Sequence, residues 1–249
     1  MRQLMVIIKK DLKETLHTKA FYGSIALVLV ILVTLGMGLR GVIEAMIEGG
    51  PSLTQTTSAL QSLIGTMAFM LSLMLMILFT MYINAYTVTT EKMKHSLESL
   101  LCTPLSLRQI WLGKSLATTL PSVILGLAFS FGSIAIVNQF FIAPKLGYSI
   151  FPGAAPLVAT LVVAPLIVFG IASLMMALQF IISNIRWINA AIIGVIFGVS
   201  FGLSPLLKFG PESWNIVSIA LGLAAILAVV TIFLSHLVTK EKIVLTSKG

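Results

Sequence analysis

The sequence predicts an all-α integral membrane protein, with about six transmembrane helices, an amphipathic elbow helix at the N-terminus, a cytoplasmic helix between the second and third spans, and both termini in the cytoplasm. Three observations predict it. Apolar residues make up 58% of the 249 residues and charged residues only 10%, with a mean hydropathy of +1.07, a balance that cannot clothe a soluble surface. The charges are also bunched: no Asp, Glu, Lys or Arg occurs in residues 20–39, 49–90, 115–144, 146–185, 187–207 or 213–239. Finally, the basic residues are distributed unequally about those gaps, as membrane topology demands.

A helix rises about 1.5 Å per residue and the hydrocarbon core is about 30 Å thick, so roughly 20 apolar residues cross it once. Each gap therefore holds one span, near 21–39, 63–88, 115–142, 154–182, 188–207 and 215–238. The apolar runs are continuous rather than alternating, which excludes a β-barrel. With both termini inside, every Lys and Arg except Arg40, Lys145 and Lys208 falls on the cytoplasmic side, and so does the whole net charge of +8. The basic pI thus reflects topology in the cell membrane and implies no nucleic-acid partner. The first apolar run is long for a signal-peptide core and lacks a following A-x-A cleavage site, so it is expected to be a retained span. The whole chain, 1–249, is expected to be one transmembrane domain: elbow 1–20, spans one and two in 21–88, a cytoplasmic segment 89–114, spans three to six in 115–238, and a cytoplasmic tail 239–249.

In residues 1–20, Leu4, Ile8, Leu12 and Leu16 recur every four positions among Lys9, Lys10, Asp11, Lys13 and Glu14. This pattern fits a helix lying on the cytoplasmic leaflet, or a charged tail that only fixes orientation. Residues 40–62 are expected to form an external loop, with a turn at Gly49-Gly50-Pro51 and a Ser/Thr/Gln-rich approach to the second span. Cys102 is the only cysteine, so neither an intrachain disulfide nor a cysteine-rich metal site can form.

Residues 89–114 are the most informative. Met93, Leu97, Leu100 and Leu101 make one apolar stripe opposite Lys92, Lys94 and Glu98. Pro104 stops that helix, and Ser106 with Gln109 three residues on has the spacing of a capping box opening the next. An amphipathic helix in the cytosol needs a cover, either a partner protein or the membrane interface and the elbow helix.

The segment TTEKMKHSLESLLCTPLSLRQIWLGK resembles the signature between the second and third spans of the permease subunits of type 2 ATP-binding-cassette exporters, which often reads E-K-E-x-G-T-L-E-x-L-L-x-T-P-L and then G-K. Glu91, Lys92, Leu97, Glu98, Leu100, Leu101, Thr103, Pro104, Leu105, Gly113 and Lys114 match in order and spacing, whereas Met93, His95 and Ser96 depart from it. The resemblance implies a coupling helix that docks on a separate ATP-hydrolysing subunit through Glu91, Lys92, Leu97, Glu98, Leu100 and Leu101, with Pro104 setting the break. It further implies a second copy or homologous permease half, ATP and magnesium on the partner ATPase, and no cofactor bound by this chain. Some relatives carry a re-entrant hairpin between the last two spans; the short stretch Lys208 to Trp214 leaves little room for one here.

Other chemistry finds no support in the pattern. Gly113-Lys114-Ser115 resembles half of a phosphate loop, but Arg108 stands where the first Gly is needed and no strand precedes it. His17, His95 and His236 are scattered, without metal-ligand spacing. No catalytic or metal-ligating set is therefore expected, and the chain is not expected to be an enzyme by itself. Within the spans, Met67, Met70, Met74 and Met81 form a heptad-like stripe that suits packing, lipid contact or an adaptable pathway wall. Asn84, Tyr86 and Gln179 are candidate polar pathway contacts. Gly194, Gly198 and Gly202 form a small-residue seam for packing within the chain or between subunits. Pro165 is placed to bend the fourth span.

The resulting expectation is the membrane-spanning half of an ATP-driven exporter, dimeric, with an amphipathic substrate such as a lipid, peptide or drug. Two alternatives stay open: a non-transporting membrane anchor for a cytoplasmic ATPase or sensor, and a secondary carrier or channel, which ordinarily needs midplane polar residues or an internal repeat.

Overall fold

The computed structural model describes residues 9, 12–13, 16–17, 19–49, 53–93, 107–181, 194 and 214–237. These residues are helical apart from short connections, and no strand occurs among them. Helix α1 runs Lys19–Gly49, α2 Leu53–Met93 and α3 Leu107–Val137. A π turn, Asn138–Ile142, and the short α4, Ala143–Leu146, extend α3. The fourth span is built from α5 (Ala154–Val158), a second π turn (Ala159–Val163) and α6 (Ala164–Ile181), and α7 runs Asn215–Leu237. Five segments are long and apolar enough to cross a membrane: Phe21–Ala45, Thr56–Asn84, Gln109–Leu146, Ala154–Leu178 and Asn215–Leu234.

The spans expected at 115–142, 154–182 and 215–238 coincide with described helices. The span expected at 188–207 lies outside the described residues except for Gly194, which is helical. The external loop expected at 40–62 is corrected. Helix α1 continues to Gly49 and α2 resumes at Leu53, because nothing between Arg40 and Gly49 breaks a helix, and Arg40 and Glu44 pair across one turn at 3.1 Å. In the sequence, Gly50, Pro51 and Ser52 lie between the two helices. Of the expected elbow, Lys9, Leu12, Lys13 and Leu16 are helical, and His17 Nδ1 lies 2.9 Å from the Lys13 carbonyl oxygen.

The fourth span is the hub. Ala155, Ala159, Val163, Ile167, Ile171 and Met175 pack against Phe69, Leu73 and Met76 of α2 and against Ile216, Ala220 and Leu227 of α7. Helices α2 and α3 run antiparallel in close contact. Ser130 Oγ lies 3.5 Å from the Ala68 carbonyl oxygen, and a Cβ placed on Gly126 would sit 3.0 Å from the Met76 backbone nitrogen and 3.2 Å from its Cα. Glycine is what permits that approach.

At the Gly49 end of the bundle, the connection between spans three and four is fastened by one side chain. Asn138, in the first π turn, donates from Nδ2 to the Ile150 carbonyl at 2.9 Å and accepts from the Ile150 amide at 3.0 Å. Gly147 makes the preceding turn in the left-handed region, with φ +79°, and its amide closes on the Ala143 carbonyl at 2.9 Å. Ile150 is thereby inserted among Ile43, Leu60, Ile64 and Ile142. The second π turn ends just before Pro165, which has no N–H to offer the carbonyl of Leu161.

Two consequences are measurable as thermal stability in detergent. Gly126→Val should destabilise by about 1–3 kcal/mol through overpacking against the Met76 backbone, whereas Gly222→Ala, where an added Cβ meets nothing within 4 Å, should be near neutral. Asn138→Leu strands a buried amide and a buried carbonyl and should cost about 2–4 kcal/mol.

Candidate functional site

Three features gather the residues with chemical potential: a groove among α1, α2 and α3, a buried polar layer where α2, α3 and α6 meet, and the far end of α2.

The groove arises from how α1 is held. Val28 is buried with Leu71, Leu75 and Phe79, where Phe79 stacks on Phe129 with ring centroids 6.0 Å apart. Ile43 is buried in the cluster around Ile64 and Ile142. Between those two anchors no described side chain of α1 is fully buried, so the helix stands off its neighbours. The resulting cavity of about 790 Å³ takes in Met37 and Arg40 of α1, Met67, Met70 and Met74 of α2, and Gly132 and Phe141 on the third span. Its hydroxyls are already spent: Thr66 donates to the Ser62 carbonyl at 2.9 Å and Ser133 to the Phe129 carbonyl at 2.7 Å. What the groove offers is therefore apolar contact, with one guanidinium at its rim.

The methionine stripe expected from the sequence is thus divided. Met67, Met70 and Met74 line the groove, whereas Met81 does not; Met81 packs, as Met70 also does, against the main core around the fourth span.

The polar layer was only partly foreseen. Asn84 is fully buried, and its Oδ1 and Nδ2 have no hydrogen-bond partner; the same holds for the hydroxyls of Thr80, one turn earlier on α2, and of Ser173 on α6. Across from them, the Trp111 indole donates to the Ser173 carbonyl at 3.0 Å. Lys114, the last residue of the segment expected at 89–114, is only 1% exposed. Helix α3 begins at Leu107, so Lys114 is already two turns inside and enclosed by neighbouring helices. The Ser115, Thr118, Thr119 and Ser122 hydroxyls each bond a carbonyl three or four residues back. That spacing, Lys114 with Thr118 and Ser122 at four-residue steps, was the sequence signal for a polar face on this helix.

Of the remaining candidates, Glu91, Lys92 and Tyr86 occupy helical positions on α2, and Gln179 one on α6. Leu97, Glu98, Leu100, Leu101 and Pro104 lie outside the described residues, as do Gly198 and Gly202. Gly194 is helical and exposed, and a Cβ added there meets nothing within 4 Å. No group of three or more His, Cys, Asp or Glu among the described residues is arranged to hold a metal ion.

No family model, curated protein or solved structure matches this chain.

The unpartnered amide of Asn84 yields a direct expectation. A buried polar group without a partner costs about 1–3 kcal/mol, and an apolar group of similar shape avoids that cost. Asn84→Leu should therefore raise the thermal midpoint in detergent, while Trp111→Phe, which removes the bond to Ser173, should lower stability by about 1 kcal/mol.

Proposed function

We propose that the chain is the membrane-spanning half of an ATP-driven exporter, working as a dimer with a second copy or a homologous half and coupled to a separate ATP-binding-cassette ATPase. The observation that carries this reading is the length of α2. The helix runs without interruption from Leu53 to Met93, about 60 Å against a hydrocarbon core of about 30 Å. Glu91 and Lys92, the first residues of the docking signature, thus stand at the end of a helix rooted in the bundle core, where a partner's motion is passed to the membrane.

On this reading both termini and the segment 89–114 face the cytoplasm, a sixth span occupies 188–207, and the chain carries no ATPase site. ATP and magnesium are held by the partner. The substrate is amphipathic, in keeping with an interior in which, among the described residues, the buried polar side chains are Ser, Thr and Asn with Lys114 the one charge.

Affinity purification from the native membrane, beside a Glu98→Arg, Leu101→Asp variant, tests the reading. The native chain should bring down an ATPase that turns over ATP, and the variant should lose about tenfold or more of it, since an unpaired charge is forced into a docking surface. An ATPase that docks but is not stimulated by any amphipathic substrate would favour a membrane anchor. A folded native chain that recovers no ATPase would favour a carrier or channel.

A further inference from the structure

We infer that the groove among α1, α2 and α3 is a binding site for one acyl chain of an anionic phospholipid, whose phosphate is held at Arg40. This inference rests only on the membrane character of the chain, not on the exporter reading.

A standing gap in hydrocarbon forfeits dispersion contacts along both walls, so a flexible apolar chain that fills it is favoured. The walls from Leu29 to Arg40 extend about 16 Å along α1. That is close to one leaflet, half of a hydrocarbon core of about 30 Å. A single acyl tail fits this length, with its head at the Arg40 end. The four groove methionines, Met37, Met67, Met70 and Met74, are unbranched and adapt to a chain of varying shape. The two hydroxyls on the wall are bonded to their own helices, so nothing inside rewards a polar solute.

The rim supplies the charge. Arg40 is paired with Glu44 only through Nε, at 3.1 Å, and both side chains are exposed. A pair of that kind is weak. The two terminal nitrogens of the guanidinium remain to bind a phosphate, which a planar fork does with two parallel bonds. Gly36 and Gly132 face the groove from α1 and α3, and a Cβ at either meets nothing within 4 Å. They keep the chain's path clear.

The test uses the full chain in phosphatidylcholine vesicles containing a minor fraction of phosphatidylglycerol that bears a photoactivatable group on one acyl chain, followed by peptide mapping. Labelling should concentrate at Met67, Met70 and Met74 and exceed that at the exposed positions Ile124, Val229 and Phe233. Gly132→Leu, which occupies the groove, should reduce it about tenfold without lowering the thermal midpoint; Gly36→Leu provides an independent repeat from the other wall. The preference for labelled phosphatidylglycerol over equally labelled phosphatidylcholine should fall about fivefold in Arg40→Gln. Labelling spread evenly over groove and outward positions, or insensitive to both leucine variants, would reduce the groove to ordinary lipid contact and overturn the proposal. Absence of groove labelling together with disulfide-linked dimers of Met37→Cys would overturn it in favour of a second copy. A preference unchanged in Arg40→Gln would overturn the headgroup assignment. No ATPase takes part, so failure here is distinct from failure of the docking experiment.

Discussion

Everything in this chain follows from one constraint: inside hydrocarbon a backbone N–H or carbonyl has no water to turn to, and each must find its partner within the protein. Continuous helices satisfy that demand along five described spans. Where the helix departs from regularity, the structure answers locally. The third and fourth spans widen into π turns at the same end, and the connection between them is closed by Asn138, which serves both the amide and the carbonyl of Ile150. The hydroxyls of Ser115, Thr118, Thr119 and Ser122 on α3 obey the same demand, each returning a hydrogen bond to a carbonyl of its own helix. Asn84, Thr80 and Ser173 stand out because they do not.

With the backbone settled inside each helix, packing decides the arrangement, and it is uneven. The fourth span has 67% of its most apolar window buried, the first only 6%. Small residues let the inner helices approach closely, with Gly126 against the Met76 backbone and alanines along the fourth span. The first span carries large apolar residues, such as Val30, Val33 and Met37, on exposed positions. It is fastened at Val28 and Ile43 and left free between. The groove is the product of that two-point attachment.

Much of this was legible in residue order. The charge-free intervals located the helices expected at 115–142, 154–182 and 215–238 because a charge or a turn bounds each of them. The boundary between spans one and two was misplaced because charge was used as the marker: Arg40 and Glu44 end an apolar interval without ending a helix, since an i, i+4 pair supports helical backbone as well as it marks water. The burial of Lys114 was not legible for the mirror reason, a charge taken as a sign of solvent although Ser115, Thr118 and Ser122 follow it on a polar face. The methionine stripe was visible as a period, but which of its members meet a void and which meet the core depends on where α1 stands off, and no local pattern encodes that.

The uninterrupted α2 has a mechanical consequence. It has no proline between Leu53 and Met93, and a close approach to another helix, Met76 against Gly126, falls partway along. That contact divides the helix into arms of about 35 Å and about 25 Å. A tilt of about 5° about such a fulcrum shifts one end by about 3 Å and the other by about 2 Å in the opposite sense, as a rigid helix of this rise requires. A stiff beam pivoted in this way needs no relay of side chains to join the two faces of a bilayer: displacement at Met93 is displacement at Leu53, with its sign reversed.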